Sequence, residues 1–435
     1  MIRYKIITIF FLLFVFTFGS RIMLHMGDWL GRVTVRRLVL FSEKDVQAEP
    51  VEISKNEINT ENNPLQNTAT PPAEHLNIAK RAIHRIETEF SDEFPKKMRF
   101  VEIYGAFQRL LDKKTVEDVD KGRAITKESH HFLHFPYSSN RYDKKNSPAK
   151  LVIGFNHFLN QLNMPLLYVQ VPHRINPQSN DLPYEMVDYE NPATDDLRQQ
   201  LESNGIATLD LREEIFKDNL DWDTLFFRTD HHWRIETAFW AHCKVIEKLN
   251  SQFHCGLDSD NYYRDIQNYE RIESKNPFLG SQGKRVGRYY AGVDDFSYLL
   301  PKFETNLRVK ITKRNAEEEL NGSFQDTIFK KKFIESTDVA ENQYAVYFGG
   351  NYPKIEIINS QGKGSILIIQ NSHGRPFSAF MTQYFQITVI VDLRHFQGSL
   401  RDFISKNSFD VVLIIYDSVT IMGTDPKMMF DRLQE

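Results

Sequence analysis

Apolar residues in this chain follow two alternating patterns, one with the period of a buried strand and one with the period of a helix. The strand pattern consists of short, continuous apolar runs rich in β-branched residues, which are typical of strands buried on both faces. The predicted strands span residues 166–171, 206–211, 365–370, 387–393 and 411–416. Apolar residues at helical spacing fill most of the intervals between them.

The intervals between the strands predict helices. These helices begin near Ser147 and Pro148, span residues 195–203 and 235–249, and follow Pro376 and Ser399. Strands that alternate with helices predict an α/β fold with a mainly parallel sheet covered on both faces. Between residues 255 and 360 the regularity is lost, so we predict an inserted α+β segment or subdomain there.

The amino-terminal residues have the pattern of an export segment. Basic residues precede an apolar run over residues 6–18. This run is shorter than the ~20 residues that comfortably span a bilayer. We predict a signal anchor or a cleaved signal peptide in residues 1–21, with the rest of the chain translocated. Residues 22–77, which include a long polar stretch without apolar period, are predicted to be a flexible linker, and residues 78–435 the folded body.

Composition narrows the class of protein. Of the 435 residues, 41% are hydrophobic and 13% are aromatic, which suits a large α/β core and is unlike a disordered chain. The formal net charge of −4 argues against a general nucleic-acid binder, because a phosphate backbone is usually met by a strongly basic face. Cys243 and Cys255 could form one disulfide outside the cytoplasm or remain as two buried thiols.

The motif at residues 229–233 places a carboxylate two positions before an imidazole, at the start of a predicted helix. A carboxylate can hold one ring nitrogen of a histidine protonated while the other nitrogen takes a proton from a nucleophile. We assign Asp230 as the orienting carboxylate and His232 as the general base, with His231 as the rival base. The alternative is structural: Thr229 or Asp230 caps the helix, and both histidines make ordinary hydrogen bonds.

The best candidate for the nucleophile is Ser372, which lies just beyond the predicted strand 365–370. Gly374 relaxes the backbone after the strand, and Pro376 suits the first turn of the next helix. A serine at the carboxyl end of a strand and near a helix amino terminus lies where negative charge is favoured. Because ligands collect at this edge of a parallel sheet, we predict that Ser372 meets the histidine motif there.

Other polar residues carry weaker predictions. His173 and Arg174 follow a strand end, where they either contact an acidic substrate or pair with loop carboxylates. His130, His131 and His134 lack the companion cysteines or carboxylates of a zinc site. We therefore predict no metal and no cofactor.

Several separate blocks of the sequence carry a family resemblance. They are residues 101–109, 169–173, 227–233, 280–287, 294–296, 349–351, the Ser372 turn and residues 391–394. In this order they resemble the DHHW family, a branch of the SGNH-hydrolase-like proteins related to the alginate O-acetyltransferases. The resemblance implies an SGNH-like three-layer α/β/α fold with Asp230, His232 and Ser372 as the catalytic triad. Family members commonly carry Asp directly before the serine, whereas this chain has Asn371, whose amide could face an oxyanion.

The resemblance also implies a function. We expect an O-acyltransferase outside the cytoplasm, anchored to the membrane or secreted, that acetylates a cell-surface or secreted polysaccharide through an acyl-serine. Oxyanion donors would be the Ser372 N–H together with Gly350 and Asn351, although their turn has a plain alternative as a tight connection. The acyl donor is expected to come from a multipass membrane acyltransferase. A carbohydrate or lipid esterase and a noncatalytic glycan-binding assembly protein are the competing functions.

Overall fold

The chain is described from a computed structural model. The structure describes residues 97–117, 124–127, 131–134, 147–179, 182, 187–418 and 430–435, which all belong to one compact unit over residues 82–435. The predicted membrane segment and the whole predicted linker precede this unit in sequence and lie outside the described residues. Among the described residues, no helix has the length and apolar character needed to cross a bilayer.

The strands are numbered in chain order over the described residues. They are β1 (Thr115–Glu117), β2 (Ala124–Lys127), β3 (Leu133–His134), β4 (Leu166–Val171), β5 (Ala207–Asp210), β6 (Tyr269–Glu273), β7 (Ser297–Pro301), β8 (Leu307–Thr312), β9 (Glu317–Gly322), β10 (Lys354–Asn359), β11 (Ser365–Gln370), β12 (Ile387–Val391) and β13 (Val411–Asp417).

The helices are numbered in the same way. They are α1 (Lys97–Leu110), α2 (Ala149–Gln161), α3 (Glu190–Ser203), α4 (Leu211–Lys217), α5 (Ile235–Phe253), α6 (Gly283–Val286), α7 (Arg288–Ala291), α8 (Phe324–Thr327), α9 (Lys332–Glu335), α10 (Gly374–Met381) and α11 (Leu400–Ser405). Short 3₁₀ helices span Trp222–Thr224, Ile266–Asn268, Gln343–Val346 and Phe430–Leu433.

One large mixed sheet organises the fold. Its strand order is β5-β4-β13-β11-β12-β10-β8-β9. The five strands from β5 to β12 are parallel to one another, and β10, β8 and β9 extend the sheet through antiparallel pairs. The sequence predicted the parallel half well but not the antiparallel half, whose strands fall inside the segment 255–360.

Helices cover both faces of this sheet, as continuous apolar strands predict. Alternate residues of a strand point to opposite faces. Leu167 and Val169 of β4 therefore lie in one apolar core, and Leu166 and Tyr168 lie in the other. Helices α5 and α10 complete the first core, whereas α2, α3 and α11 complete the second. The α/β class is as predicted.

Two local predictions are refined by the structure. Pro148 rather than Ser147 occupies the cap position of α2, and the Ser147 hydroxyl accepts a hydrogen bond from the Ala149 N–H at 3.3 Å. Cys243 and Cys255 are both free thiols. Burial raises the pKa of Cys243 to about 12, so this thiol stays protonated at neutral pH.

Candidate active site

Two loops meet at the carboxyl edge of the parallel strands. One loop leads into α5 and carries the motif at residues 229–233, and the other is the turn between β11 and α10 that carries Ser372. Trp233 joins them, because its indole Nε1 donates to the carbonyl oxygen of His373 at 3.0 Å. The chain thus brings together residues that are 140 positions apart in sequence.

A hydrogen-bonded chain of three side chains spans these loops. His232 Nε2 lies 2.9 Å from Ser372 Oγ, and His232 Nδ1 lies 2.5 Å from Asp230 Oδ1. Asp230 and His232 are buried, whereas Ser372 is partly exposed. The serine is therefore partly open to solvent, while Asp230 and His232 behind it are shielded from water. This arrangement allows the imidazole to take the serine proton while the carboxylate fixes the ring.

Asp230 is held by backbone donors as well as by the imidazole. Its Oδ1 also accepts the His232 backbone N–H at 3.0 Å, and its Oδ2 accepts the Ser281 N–H at 2.6 Å. The preceding residue is fixed by the buried Asp294, which accepts the Thr229 N–H at 2.8 Å and the Thr229 hydroxyl at 2.7 Å. The conformation of the motif therefore depends on residues far away in sequence.

Burial and charge set the protonation states of the pair. Burial alone would raise the pKa of Asp230, but His232, His231 and the N–H of Ser281 hold that pKa well below its usual value. Burial lowers the pKa of His232 well below 6.5, and His231 acts in the same direction against the attraction of Asp230. At neutral pH the carboxylate is ionised and the imidazole is neutral, as a general base requires.

The rings of Tyr344, His231 and, with ring centres 4.6 Å apart, His373 pack against His232. Tyr344 stacks on it with ring centres 4.0 Å apart, and the His231 ring centre lies 3.8 Å away. The Tyr344 hydroxyl donates to the His373 carbonyl oxygen at 3.3 Å, which ties the stack to the serine turn. His231 contacts a different hydroxyl, since its Nδ1 lies 2.8 Å from Ser281 Oγ. The geometry favours His232 over His231 as the base.

Asn371 is engaged by a carboxylate at the end of β13. Its Nδ2 donates to Asp417 Oδ1 at 2.8 Å, and its Oδ1 accepts the His373 N–H at 3.0 Å. Asp417 Oδ2 also lies 3.3 Å from His373 Nδ1, and His373 Nε2 lies 3.2 Å from the carbonyl oxygen of His231. The Asn371 amide therefore supports the serine turn, and its contact with an oxyanion stays a prediction.

The other predicted residues lie around this centre. Gly350 and Asn351 follow the helix that carries Tyr344, and the side chain nearest to Gly350 is that of Tyr352. Arg174 donates from Nη2 to Gln282 Oε1 at 2.8 Å, one position beyond Ser281. Their roles in binding an oxyanion or a substrate stay predictions.

Several supporting residues were missed by the sequence analysis. They are Gly280, Ser281, Asp294, Tyr344, His373, Arg375 and Asp417. Gly280, Ser281 and Asp294 lie in sequence blocks that carry the family resemblance, and this location could have identified them as site residues. Tyr344 and Asp417 lie outside those blocks, so only the tertiary structure brings them to the imidazole and the serine turn.

Within the part of the chain that the structure describes, Asp230, His231 and His232 are a group of side chains that could hold a metal ion. One ligand atom from each lies within 4.8 Å of the others. The same side chains form the hydrogen bonds described above, so a metal bound by all three would compete with the Asp230–His232 contact.

Gly280 leaves no room for a side chain beside Asp230. A Cβ at this position would lie 2.3 Å from Asp230 Cβ and 2.6 Å from its Cα. We expect Gly280→Ala to displace Asp230 from His232 and to lower kcat/KM by roughly 10²-fold. Ester hydrolysis and thermal melting measure the effect. Gly154→Ala on α2 is the control, because the nearest atom to its new Cβ is 3.8 Å away; equal behaviour of the two variants would contradict this role.

Part of the chain matches a known family. Residues 134–270 match the family model described as ALGX, SGNH hydrolase-like domain, acetyltransferase AlgX. This part of the chain is similar to that SGNH hydrolase-like domain. The match confirms the predicted resemblance to SGNH-hydrolase-like proteins, and the acetyltransferase in its description supports the predicted enzyme class. The matched region includes Asp230 and His232 and ends before Ser372.

Solved structures share the fold of this chain. PatB1 of Bacillus cereus, in a structure with a sulfonyl adduct, is 19% identical with a TM-score of 0.57, over 71% of this chain and 98% of that chain. A DHHW family protein from Eubacterium siraeum is 14% identical with a TM-score of 0.52, over 74% of this chain and 98% of that chain. Comparison with curated proteins gives no match.

Proposed function

We propose that this protein is an extracytoplasmic O-acyltransferase that acetylates hydroxyl groups of a polysaccharide through an acyl-enzyme on Ser372. The observation that carries the proposal is the contact of a partly exposed serine hydroxyl with a buried imidazole, which is itself held by Asp230. The match with an acetyltransferase family supports the acetyl group. The apolar run near the amino terminus supports a position outside the cytoplasm, anchored or secreted.

The first half-reaction forms the acyl-enzyme. His232 takes the Ser372 proton as Oγ bonds to the acyl carbonyl carbon, and the carbonyl electrons move onto oxygen. The resulting oxyanion is stabilised by the Ser372 N–H, with Gly350, Asn351 and the Asn371 amide as further proposed donors. When the bond to the donor breaks, His232 returns its proton to the departing oxygen. The acetyl group remains on Ser372 as an ester.

The second half-reaction transfers the acetyl group. A sugar hydroxyl loses its proton to His232 and attacks the acetyl carbon, and Ser372 leaves with the proton restored. Water in place of the sugar would give free acetate, which is the esterase reaction. Arg174 and His231 are proposed to contact the acceptor near this point. A multipass membrane acyltransferase is proposed to supply the donor, because acetyl-coenzyme A is a cytoplasmic compound.

The test is to incubate the purified protein with 4-nitrophenyl acetate and an oligosaccharide mixture. We expect acetylated oligosaccharide and an acetyl adduct on Ser372, both read by mass spectrometry. Free acetate without acetylated sugar would favour an esterase. If a folded protein with intact Ser372 forms no adduct, covalent catalysis by Ser372 is ruled out.

The pH dependence of this reaction follows from the state of His232. The imidazole must be neutral to accept a proton, and burial lowers its pKa well below 6.5. We therefore expect kcat/KM for 4-nitrophenyl acetate to hold steady as the pH falls through 6.5 and to drop only at lower pH, as His232 becomes protonated. A half-maximal rate at or above pH 6.5 would contradict this assignment, provided that circular dichroism shows a folded protein over the range.

A further inference from the structure

His373, the residue after the candidate nucleophile, is a buried histidine that the proposed reaction does not use. Only 2% of its surface is exposed. Its backbone is engaged at both ends, because the His373 N–H donates to Asn371 Oδ1 at 3.0 Å and its carbonyl oxygen accepts the Trp233 indole N–H at 3.0 Å. These backbone contacts do not depend on the side chain, so the imidazole needs a separate explanation.

The imidazole bonds to the backbone of the motif at residues 229–233. His373 Nε2 lies 3.2 Å from the carbonyl oxygen of His231. A carbonyl oxygen can only accept a hydrogen bond, so Nε2 carries a ring proton and donates it. The other ring nitrogen, Nδ1, lies 3.3 Å from Asp417 Oδ2 and has no hydrogen-bond partner within the described residues. The link to the motif is therefore made by Nε2 alone.

The accepting carbonyl belongs to the peptide group that joins His231 to His232. A peptide group is planar. Its N–H donates to Asp230 Oδ1 at 3.0 Å, and its carbonyl oxygen accepts the His373 imidazole N–H. The two hydrogen bonds therefore hold this plane from opposite sides. The plane in turn sets the direction in which the His232 side chain leaves the backbone.

A second contact makes the link between the two loops reciprocal. The His373 side chain bonds to the residue before His232, and the side chain of Trp233, the residue after it, bonds to the His373 carbonyl oxygen. Ser372 is fixed within its own turn as well, because the Arg375 N–H donates to its carbonyl oxygen at 3.3 Å. The nucleophile and the base therefore belong to one closed loop of covalent and hydrogen bonds, in which the Nε2 hydrogen bond is one link.

We propose that the hydrogen bond from the His373 imidazole to the motif is a positioning contact that holds Ser372 Oγ within reach of His232 Nε2. This inference rests on the proposed acyl transfer at Ser372. The two reacting atoms lie 2.9 Å apart. A displacement of about 1 Å can cost about 10²-fold in rate, so loss of this link is expected to slow acylation. Because His373 acts through the motif and the serine turn, binding of the ester is expected to be unchanged.

The test separates the two ring nitrogens by substitution in the full chain. The amide nitrogen of glutamine reaches about as far as Nε2, whereas that of asparagine reaches about as far as Nδ1. We expect His373→Gln to keep the acylation rate constant within about fivefold of wild type, the scale of one neutral hydrogen bond. We expect His373→Asn to lose roughly 10²-fold in this rate constant at an unchanged half-saturating ester concentration.

The burst of 4-nitrophenolate released from 4-nitrophenyl acetate measures these quantities. Its rate constant reports the positioning of the reacting atoms, and its amplitude counts the folded, active molecules. A substitution that only destabilises the fold therefore lowers the amplitude and leaves the rate constant of the remaining molecules unchanged.

His242 gives the matched control. This buried imidazole on α5 packs against Phe380 of α10, and its Nε2 lies 2.8 Å from the Tyr384 hydroxyl. The same two substitutions at His242 also disturb a buried hydrogen bond, so they are expected to lower the melting temperature. We expect His242→Gln and His242→Asn to have equal acylation rate constants.

Equal acylation rate constants for His373→Gln and His373→Asn would overturn the inference, and so would a loss confined to ester binding. If neither variant folds, neutron diffraction from wild-type crystals replaces them. A proton on Nε2 directed at the His231 carbonyl oxygen supports the inference, and a bare Nε2 rejects it. A wild-type protein that forms no acetyl-Ser372 would instead reject the proposed function.

Discussion

Replacement of Ser372 by alanine is expected to lower the acyl-transfer rate by about 10⁴-fold or more and to remove the acetyl adduct. The reason is that the Ser372 hydroxyl lies 2.9 Å from His232 Nε2 and is the group that we propose bonds to the acyl carbon. Without it, only substrate binding and oxyanion donors remain, and they accelerate a direct reaction weakly. Single-turnover kinetics with 4-nitrophenyl acetate and mass spectrometry of the intact protein measure both effects.

A nearby serine gives the matched control for this substitution. The Ser281 hydroxyl contacts His231 rather than His232, and the Ser281 backbone N–H that holds Asp230 is kept in an alanine variant. We expect Ser281→Ala to lose less than about tenfold in rate, the scale of one neutral hydrogen bond. If Ser281→Ala and Ser372→Ala lose activity to the same degree, the reactive hydroxyl has not been identified by the geometry.

The parts of the fold that could be predicted from sequence are those fixed by local pattern. The predicted bounds of β4 and β11 are those observed, because continuous apolar runs between polar ends leave one assignment for a buried strand. Helix α3 begins at Glu190 rather than at the predicted Asp195, because its first turn is polar but buried. Glu190 pairs with His173 there, and Asn191 accepts a hydrogen bond from Arg212.

The antiparallel half of the sheet could not be predicted for a different reason. β10 pairs with β12 and β8, and β9 pairs at the edge, so each register depends on distant segments. The sequence of β9 is acidic, and its charges are met by lysines such as Lys310, which lies 2.9 Å from Glu317. Charged edge strands protect a sheet from aggregation, but they lack the apolar pattern that identifies a strand.

The residues of the candidate site also fall into a predictable group and an unpredictable group. Asp230, His232 and Ser372 were selected from short motifs, because each motif carries its chemistry locally. The groups that set their environment, such as Tyr344 and Asp417, come from other segments and have no motif of their own. Residue type alone could not reveal that the Asn371 amide would meet a carboxylate on the neighbouring strand.

Asn371 and Asp417 form a pair in which one side chain must donate a hydrogen bond and the other must accept it. Their contact is 2.8 Å, and each is buried, with 6% and 4% of its surface exposed. Asn371→Asp restores the residue common in the family but removes the donor and places two carboxylates face to face. We expect a loss of about 2–4 kcal/mol in the free energy of unfolding at pH 8, together with lower activity.

The pH dependence and a reciprocal exchange make this prediction specific. A proton shared between two buried carboxylates has a raised pKa, so one of them can donate again at low pH. The stability that this proton provides is lost as the pH rises, and the Asn371→Asp variant should therefore melt closer to wild type at pH 5 than at pH 8. Exchanging both residues, Asn371→Asp with Asp417→Asn, restores one donor and one acceptor and is expected to recover most of the lost stability. If the double variant is no more stable than Asn371→Asp, then Asp417 does not take the place of the carboxylate that family members carry directly before the serine.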